Sequence, residues 1–163
     1  MTIELVFWIF LIICIFTDLS YKKIYNIVSL SSTFLGFLLN FLFFGIEGFK
    51  QSLTGAIAGF SLLFLVFILD GVGAGDIKFL VAIGSLKGAR FVINGTLYGA
   101  ILAGIFTVIL LVHKKLFFKT IKNIFWSFIT LIFLHKFIPF KNENSIKLPY
   151  VFFLAIGMII NYV

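Results

Sequence analysis

Charge is what this chain has least of. Of its 163 residues only 12% are Asp, Glu, Lys or Arg, about half the share usual in soluble domains. Acidic residues number six: Glu4, Asp18, Glu47, Asp70, Asp76 and Glu143. A single cysteine, Cys14, rules out an internal disulfide and a Cys-x-x-Cys metal site, and its apolar flanks make it a packing residue. With two prolines there is no proline-rich linker, and neither a low-complexity tract nor an internal repeat interrupts the chain. No serine stands in a Gly-x-Ser-x-Gly turn, which removes the usual serine-hydrolase signature. His113 and His135 have neither a nucleophile beside them nor metal-ligand spacing, so both read as interfacial side chains.

What the chain has is apolar surface: 62% of residues are hydrophobic and the mean hydropathy is +1.21. These residues fall in long blocks separated by short polar breaks, more than the interior of one globular domain can absorb, so lipid has to be the solvent. The blocks cover residues 5–17, 27–46, 53–69, 91–112 and 148–163, with a further span starting in the glycine-rich stretch 70–76, near Gly71, and ending at 86. At roughly 20 residues per crossing, the sequence predicts an all-α polytopic membrane protein of six transmembrane helices, one domain over residues 1–163. The first block is short and draws Asp18 and Leu19 into the boundary. It lacks a basic n-region and a small-x-small cleavage site, which makes it a mature span rather than a signal peptide. Between the fifth and last blocks, Lys114, Lys115, Lys119 and Lys122 alternate at helical spacing with Leu116, Phe117, Ile121 and Phe125, the pattern of an amphipathic helix lying on an anionic membrane surface. Residues 124–138 are more apolar and fit either an interfacial helix or a seventh span.

The net charge of +7 sits on short loops between apolar blocks, as in membrane proteins, which argues against nucleic acid as a partner. Lys22, Lys23 and the four lysines after the fifth block outnumber Lys50, Lys87 and Arg90 on the other side. The first set is therefore expected at the cytoplasmic face, with the start of the chain outside. Alternation of spans then puts Asp18 and the 70–76 stretch on the same, cytoplasmic side.

Ionisable groups at membrane depth are costly enough to be functional candidates. Glu4, Glu47 and Glu143 fall in tails or breaks and are expected to be solvated. Asp18, Asp70 and Asp76 stand at the ends of apolar helices. Two carboxyls brought together cannot both ionise easily, so they share a proton. Such a pair activates water: one member takes the water's proton while the other donates to a scissile carbonyl, with neither metal nor covalent intermediate.

The stretch Gly73-Ala-Gly-Asp-Ile-Lys-Phe-Leu80 resembles the Gly-x-Gly-Asp signature of membrane aspartyl proteases in the form found in type IV prepilin peptidases. Asp18-Leu-Ser-Tyr-Lys-Lys-Ile-Tyr-Asn26 is similar to that family's first motif, an Asp followed by basic residues and then Ile-Pro-Asn, with Tyr25 in place of the proline. Lys147-Leu-Pro-Tyr150 at the last span, with Gly157 inside it, resembles the small prepilin peptidases of tight-adherence pilus systems. The resemblance implies a catalytic pair of Asp18 and Asp76, no cofactor and no metal, and cleavage of a prepilin-like precursor's leader on the cytoplasmic side of the plasma membrane. Gly73 and Gly75 would let the backbone pass close to the substrate strand. Lys78, two residues past Asp76 on a helix, points away from it and is expected to meet headgroups or a carbonyl. Lys23 and Asn26 either shape the loop beside Asp18 or belong to a solvated basic loop. Larger family members carry a cysteine-rich insert and N-methyltransferase activity, and this chain has neither feature, so cleavage without methylation is expected.

A different class also fits composition alone: a small transporter or channel whose aspartates bind a cation or relay protons. A presenilin-like protease shares the Gly-x-Gly-Asp logic, but its Pro-Ala-Leu motif is missing here.

Overall fold

The computed structural model describes residues 2–68, 72–113 and 150–163; the expected amphipathic segment and Asp70 lie outside them. The described residues form helices only: α1 (Thr2–Tyr21), α2 (Asn26–Ile68), α3 (Ala74–Lys87), α4 (Ala89–His113) and α5 (Tyr150–Tyr162). Among them α1, α2 and α4 are long and apolar enough to cross a membrane.

α1 shows why such a helix belongs in lipid. Its buried residues, Phe7, Phe10, Leu11, Cys14, Thr17 and Asp18, recur at three- and four-residue intervals and make one stripe. The opposite face carries Leu5, Ile12 and Phe16, each more than half exposed. A helix apolar on both faces suits a partner on one side and acyl chains on the other. It ends at Lys22, whose positive φ of 51° turns the chain while its N–H donates to Asp18 O at 2.9 Å, a left-handed helix stop.

α2 is folded in two. Gly45, at φ 62° and ψ −143°, adopts a backbone that side chains resist, and the arms 26–44 and 46–68 run back along each other. Phe37 and Phe41 meet Phe49 across the turn, and Ser52 Oγ donates to Gly36 O at 3.3 Å. The sequence placed the break at residues 47–52, but those residues are helical. Their polarity reflects the exposed Glu47–Lys50 pair at 2.8 Å and the inward-turned Ser52, not a loop.

α3 is the central helix. It begins at Ala74, with Gly73 as N-cap, three residues later than the start expected near Gly71, because Asp76 and Gly73 cap one another as described below. From Asp76 to Leu86 nearly every residue is buried. The α2 hairpin closes on it through glycines: a Cβ on Gly55 or Gly84 would strike the other's carbonyl, and one on Gly36 would strike Ser85. Small residues at the contact let helix backbones approach in lipid, where packing rather than water drives association. Asn40, on the first arm and 4% exposed, donates to Gly36 O at 2.9 Å and Ser85 O at 3.1 Å, so it satisfies a carbonyl in α3's last turn.

α4 and α5 make a second close pair, with Gly95 against Met158 and Gly99 against Leu154. Both meet α1 at its N-terminal end, where Phe7 packs on Phe91 and Tyr162. Glu4, expected to be solvated, instead binds Lys87 Nζ at 2.5 Å, and that ammonium lies over the rings of Phe7 and Tyr162. Reach corrects the expectation: α1 is helical from Thr2, so Glu4 stands at the end of α3 and not in a tail.

Candidate active site

Antiparallel packing of α1 and α3 decides where the acids go. Glu4 pairs with Lys87 and Phe10 stacks on Phe79 at 5.7 Å; continued up the helices, this register brings Asp18 to the level of α3's first turn. Asp18 and Asp76 are 6% and 9% exposed, and their carboxyl groups lie within electrostatic reach of one another. The two come from separate helices and share the same end of the bundle.

Each is held by main-chain donors. Asp76 is the third residue of α3, and its Oδ2 accepts the N–H of Gly73 at 2.9 Å while its own N–H donates to Gly73 O at 3.1 Å. This reciprocal cap satisfies two groups at a helix start. Asp18 Oδ2 accepts the N–H of Phe152 at 3.0 Å, so Asp18 plays the same part for α5 from a different helix. α3 and α5 thus both begin at this end, each with a carboxylate on its first-turn N–H groups, where the helix dipole offers partial positive charge.

The loop between α1 and α2 lies over α3's start. Gly75 faces Ile24, 3.6 Å from where its own Cβ would be. Lys78 Nζ donates to Asn26 Oδ1 at 2.7 Å; the carbonyl expected for Lys78 is thus the side-chain amide of the first motif. Asn26 opens α2, and Tyr25 O accepts from Val28 and Ser29 N–H at 3.1 and 3.3 Å, so the turn forms with tyrosine in proline's place. Lys23 is exposed in the loop, and Gly73 is exposed at the N-cap. The structure brings together Asp18, Asp76, Gly73, Gly75, Lys78 and Asn26. Lys23 stands at the edge.

Residues that reading the sequence for acids missed come from α5: the N–H of Phe152 and the half-buried Tyr150, whose phenol lies within electrostatic reach of Asp76. Among the described residues no group of three or more His, Cys, Asp or Glu gathers that could hold a metal ion. Two buried carboxyls thus share one end of an apolar helical bundle.

The family match fits that arrangement. The chain belongs to the type IV leader peptidase family, whose pattern it matches over residues 5–108, a stretch that contains both Asp18 and Asp76. It is therefore a protease of the prepilin leader peptidase type, with prepilin as its substrate class, and a membrane protein by its apolar helices. Comparison with curated proteins gives no match, and neither does comparison with solved structures.

Proposed function

We propose that the chain is an aspartyl endopeptidase that cuts the leader from type IV prepilin-like precursors at the cytoplasmic membrane face, with Asp18 and Asp76 as its catalytic pair. The observation that carries this reading is that the aspartates of two separate family-like motifs are both buried at one end of the bundle, within electrostatic reach of each other. In the reaction, the ionised carboxylate takes a proton from water as its oxygen adds to the scissile carbonyl carbon. The protonated partner donates to the carbonyl oxygen. Collapse of the tetrahedral intermediate returns a proton to the leaving amine. No metal or organic cofactor enters these steps.

The cytoplasmic assignment rests on the distribution of basic residues. In the sequence Lys22, Lys23, Lys114, Lys115, Lys119 and Lys122 on one set of breaks outnumber Lys50, Lys87 and Arg90 on the other. Six spans in one domain follow if each α2 arm crosses once and the shorter α3 and α5 cross inside the bundle, shielded from lipid. Cleavage without N-methylation follows from the lack of a cysteine-rich insert, since Cys14 is the chain's one cysteine and is buried. Co-expression with candidate prepilins tests the whole reading. Loss of a short basic leader ending at glycine is expected, and it should be absent with Asp18→Asn or Asp76→Asn; processing that persists in both variants would overturn the assignment.

A further inference from the structure

Asp18 is badly placed on its own helix. It lies in the last turn of α1, where unpaired carbonyls give partial negative charge and disfavour a carboxylate, and that turn holds no basic residue. At 6% exposure little water reaches it. Asp76 is placed the other way, in the first turn of α3, where it accepts the N–H of that helix's own N-cap, Gly73. What Asp18 lacks on α1 it takes from α5. The Phe152 N–H, one of the first-turn donors without a partner inside its helix, reaches Asp18 Oδ2 at 3.0 Å across 134 positions of chain. That donor is firmly seated. α5 is pinned to α4 at Gly157, where a Cβ would strike the Gly95 carbonyl and the Gly99 amide, and Val151, Leu154, Ala155 and Met158 are buried around it.

We propose that Phe152 is a positioning residue of the leader-peptidase reaction, its main-chain N–H fixing the Asp18 carboxyl for proton transfer. The inference rests on Asp18 and Asp76 being the catalytic pair. It makes α5 part of the catalytic apparatus, although the family match ends at residue 108. The two acids then differ in what supports them. Asp76 has its donor at the cap of its own helix, whereas Asp18 depends on a separate helix and is disturbed whenever that helix shifts. A charge-assisted bond sets direction as well as charge, so without it the carboxyl is free to turn out of the geometry that the reaction needs.

The test uses the full-length chain in membranes with a purified prepilin substrate. Phenyllactate incorporated at position 152 turns the peptide N–H into an ester oxygen and keeps the benzyl side chain. That N–H has no partner within α5, so the helix retains its own bonds. Losing a hydrogen bond to a charged group should lower kcat by about 10- to 100-fold, with KM changed less than about twofold, because the lost bond serves the carboxyl and not ground-state binding. The same exchange at Ile160 removes an N–H bonded inside α5, to the carbonyl four residues back. It should lower the thermal midpoint and leave kcat alone. A Phe152 N–H that only steadies the fold would give both exchanges the same signature. Wild-type kcat with the ester at 152, a rise in KM alone, or an equal loss of kcat with the ester at 160 overturns the proposal. If the ester at 152 does not accumulate folded, the amide of the otherwise unaltered chain decides. With isotope-labelled phenylalanine, the Phe152 amide proton, identified by its loss in Phe152→Leu, should move upfield in Asp18→Asn, where a neutral acceptor replaces a charged one. An unmoved resonance refutes the proposal. Active Asp18→Asn and Asp76→Asn enzymes would instead sink the underlying dyad, an outcome distinct from inactive aspartate variants beside an unaffected ester at 152.

Discussion

Replacing Asp76 by asparagine should separate activity from stability. In the folded chain the Asp76 carboxylate accepts the Gly73 N–H at 2.9 Å, and an amide oxygen of nearly the same size and position keeps that bond. A hydrogen bond to a charged group is worth ~1.5–3 kcal/mol and a neutral one ~0.5–1.5, so the cap weakens by about 1 kcal/mol. Against that, a neutral amide costs less to hold at 9% exposure than a charge does, and it no longer faces a second carboxyl. The opposed effects leave stability within about 1 kcal/mol of the parent. Chemistry has no such compensation. The amide can neither take the water's proton nor share one with Asp18, and general acid–base catalysis contributes roughly 10²–10⁴ in rate, equivalent to ~3–5 kcal/mol of barrier. The experiment measures leader cleavage in membranes beside the thermal midpoint of the same protein in detergent. Asp18→Asn should behave alike, since its amide oxygen can still accept from Phe152 N–H. Asp70→Asn should keep most activity, because Asp70 follows a plain apolar block in the sequence. An inactive Asp70→Asn enzyme next to a working Asp18→Asn enzyme would mean that the pair is Asp70 with Asp76, and the assignment fails.

A cysteine placed in the Lys22–Ile24 loop should react with an impermeant thiol reagent only from the cytoplasmic side; labelling from outside alone would reverse the orientation. Gly84→Val should cost at least the ~1–3 kcal/mol of an overpacked core, because its new Cβ strikes the Gly55 backbone, and it should show as lost folded protein rather than as a lower kcat. Lys78→Met and Asn26→Leu each break the 2.7 Å bond between the motifs, so a double-mutant cycle on kcat/KM should give a coupling of ~0.5–3 kcal/mol. Strict additivity would remove any role for that bond in the site.

The helical, lipid-facing class of the chain could be read from composition, because nothing but a membrane accommodates blocks such as 27–46. Boundaries were less legible. The polar residues Glu47, Lys50 and Ser52 imitate a loop, yet the chain reverses at Gly45, where only the backbone dihedrals carry the signal. Asn40 sits inside an apolar block and gives no period or motif to notice, although it joins α2 to the end of α3. At the site, Asp18, Asp76 and Asn26 stood out through the resemblance of their two motifs to a known family, and span parity gave the common end of the two aspartates. The donors that hold the carboxyls were not, because a main-chain N–H such as that of Phe152 has no letter in the sequence. Its meeting with Asp18 joins positions 134 residues apart.

The ends of α1 explain how a site of two acids is kept in register without a direct bond between them. At one end Glu4 meets Lys87 under a cluster of rings, with Phe7 against Phe91 and Tyr162. At the other, Asp18 accepts from the start of α5. Sliding α1 by one residue along α3 would turn its side chains by about 100° and carry Asp18 off the buried stripe into lipid. That slip would also unpair Glu4 and pull Phe10 from Phe79. Register at the acids is thus set largely by contacts far from them, where aromatic packing and one ion pair oppose sliding.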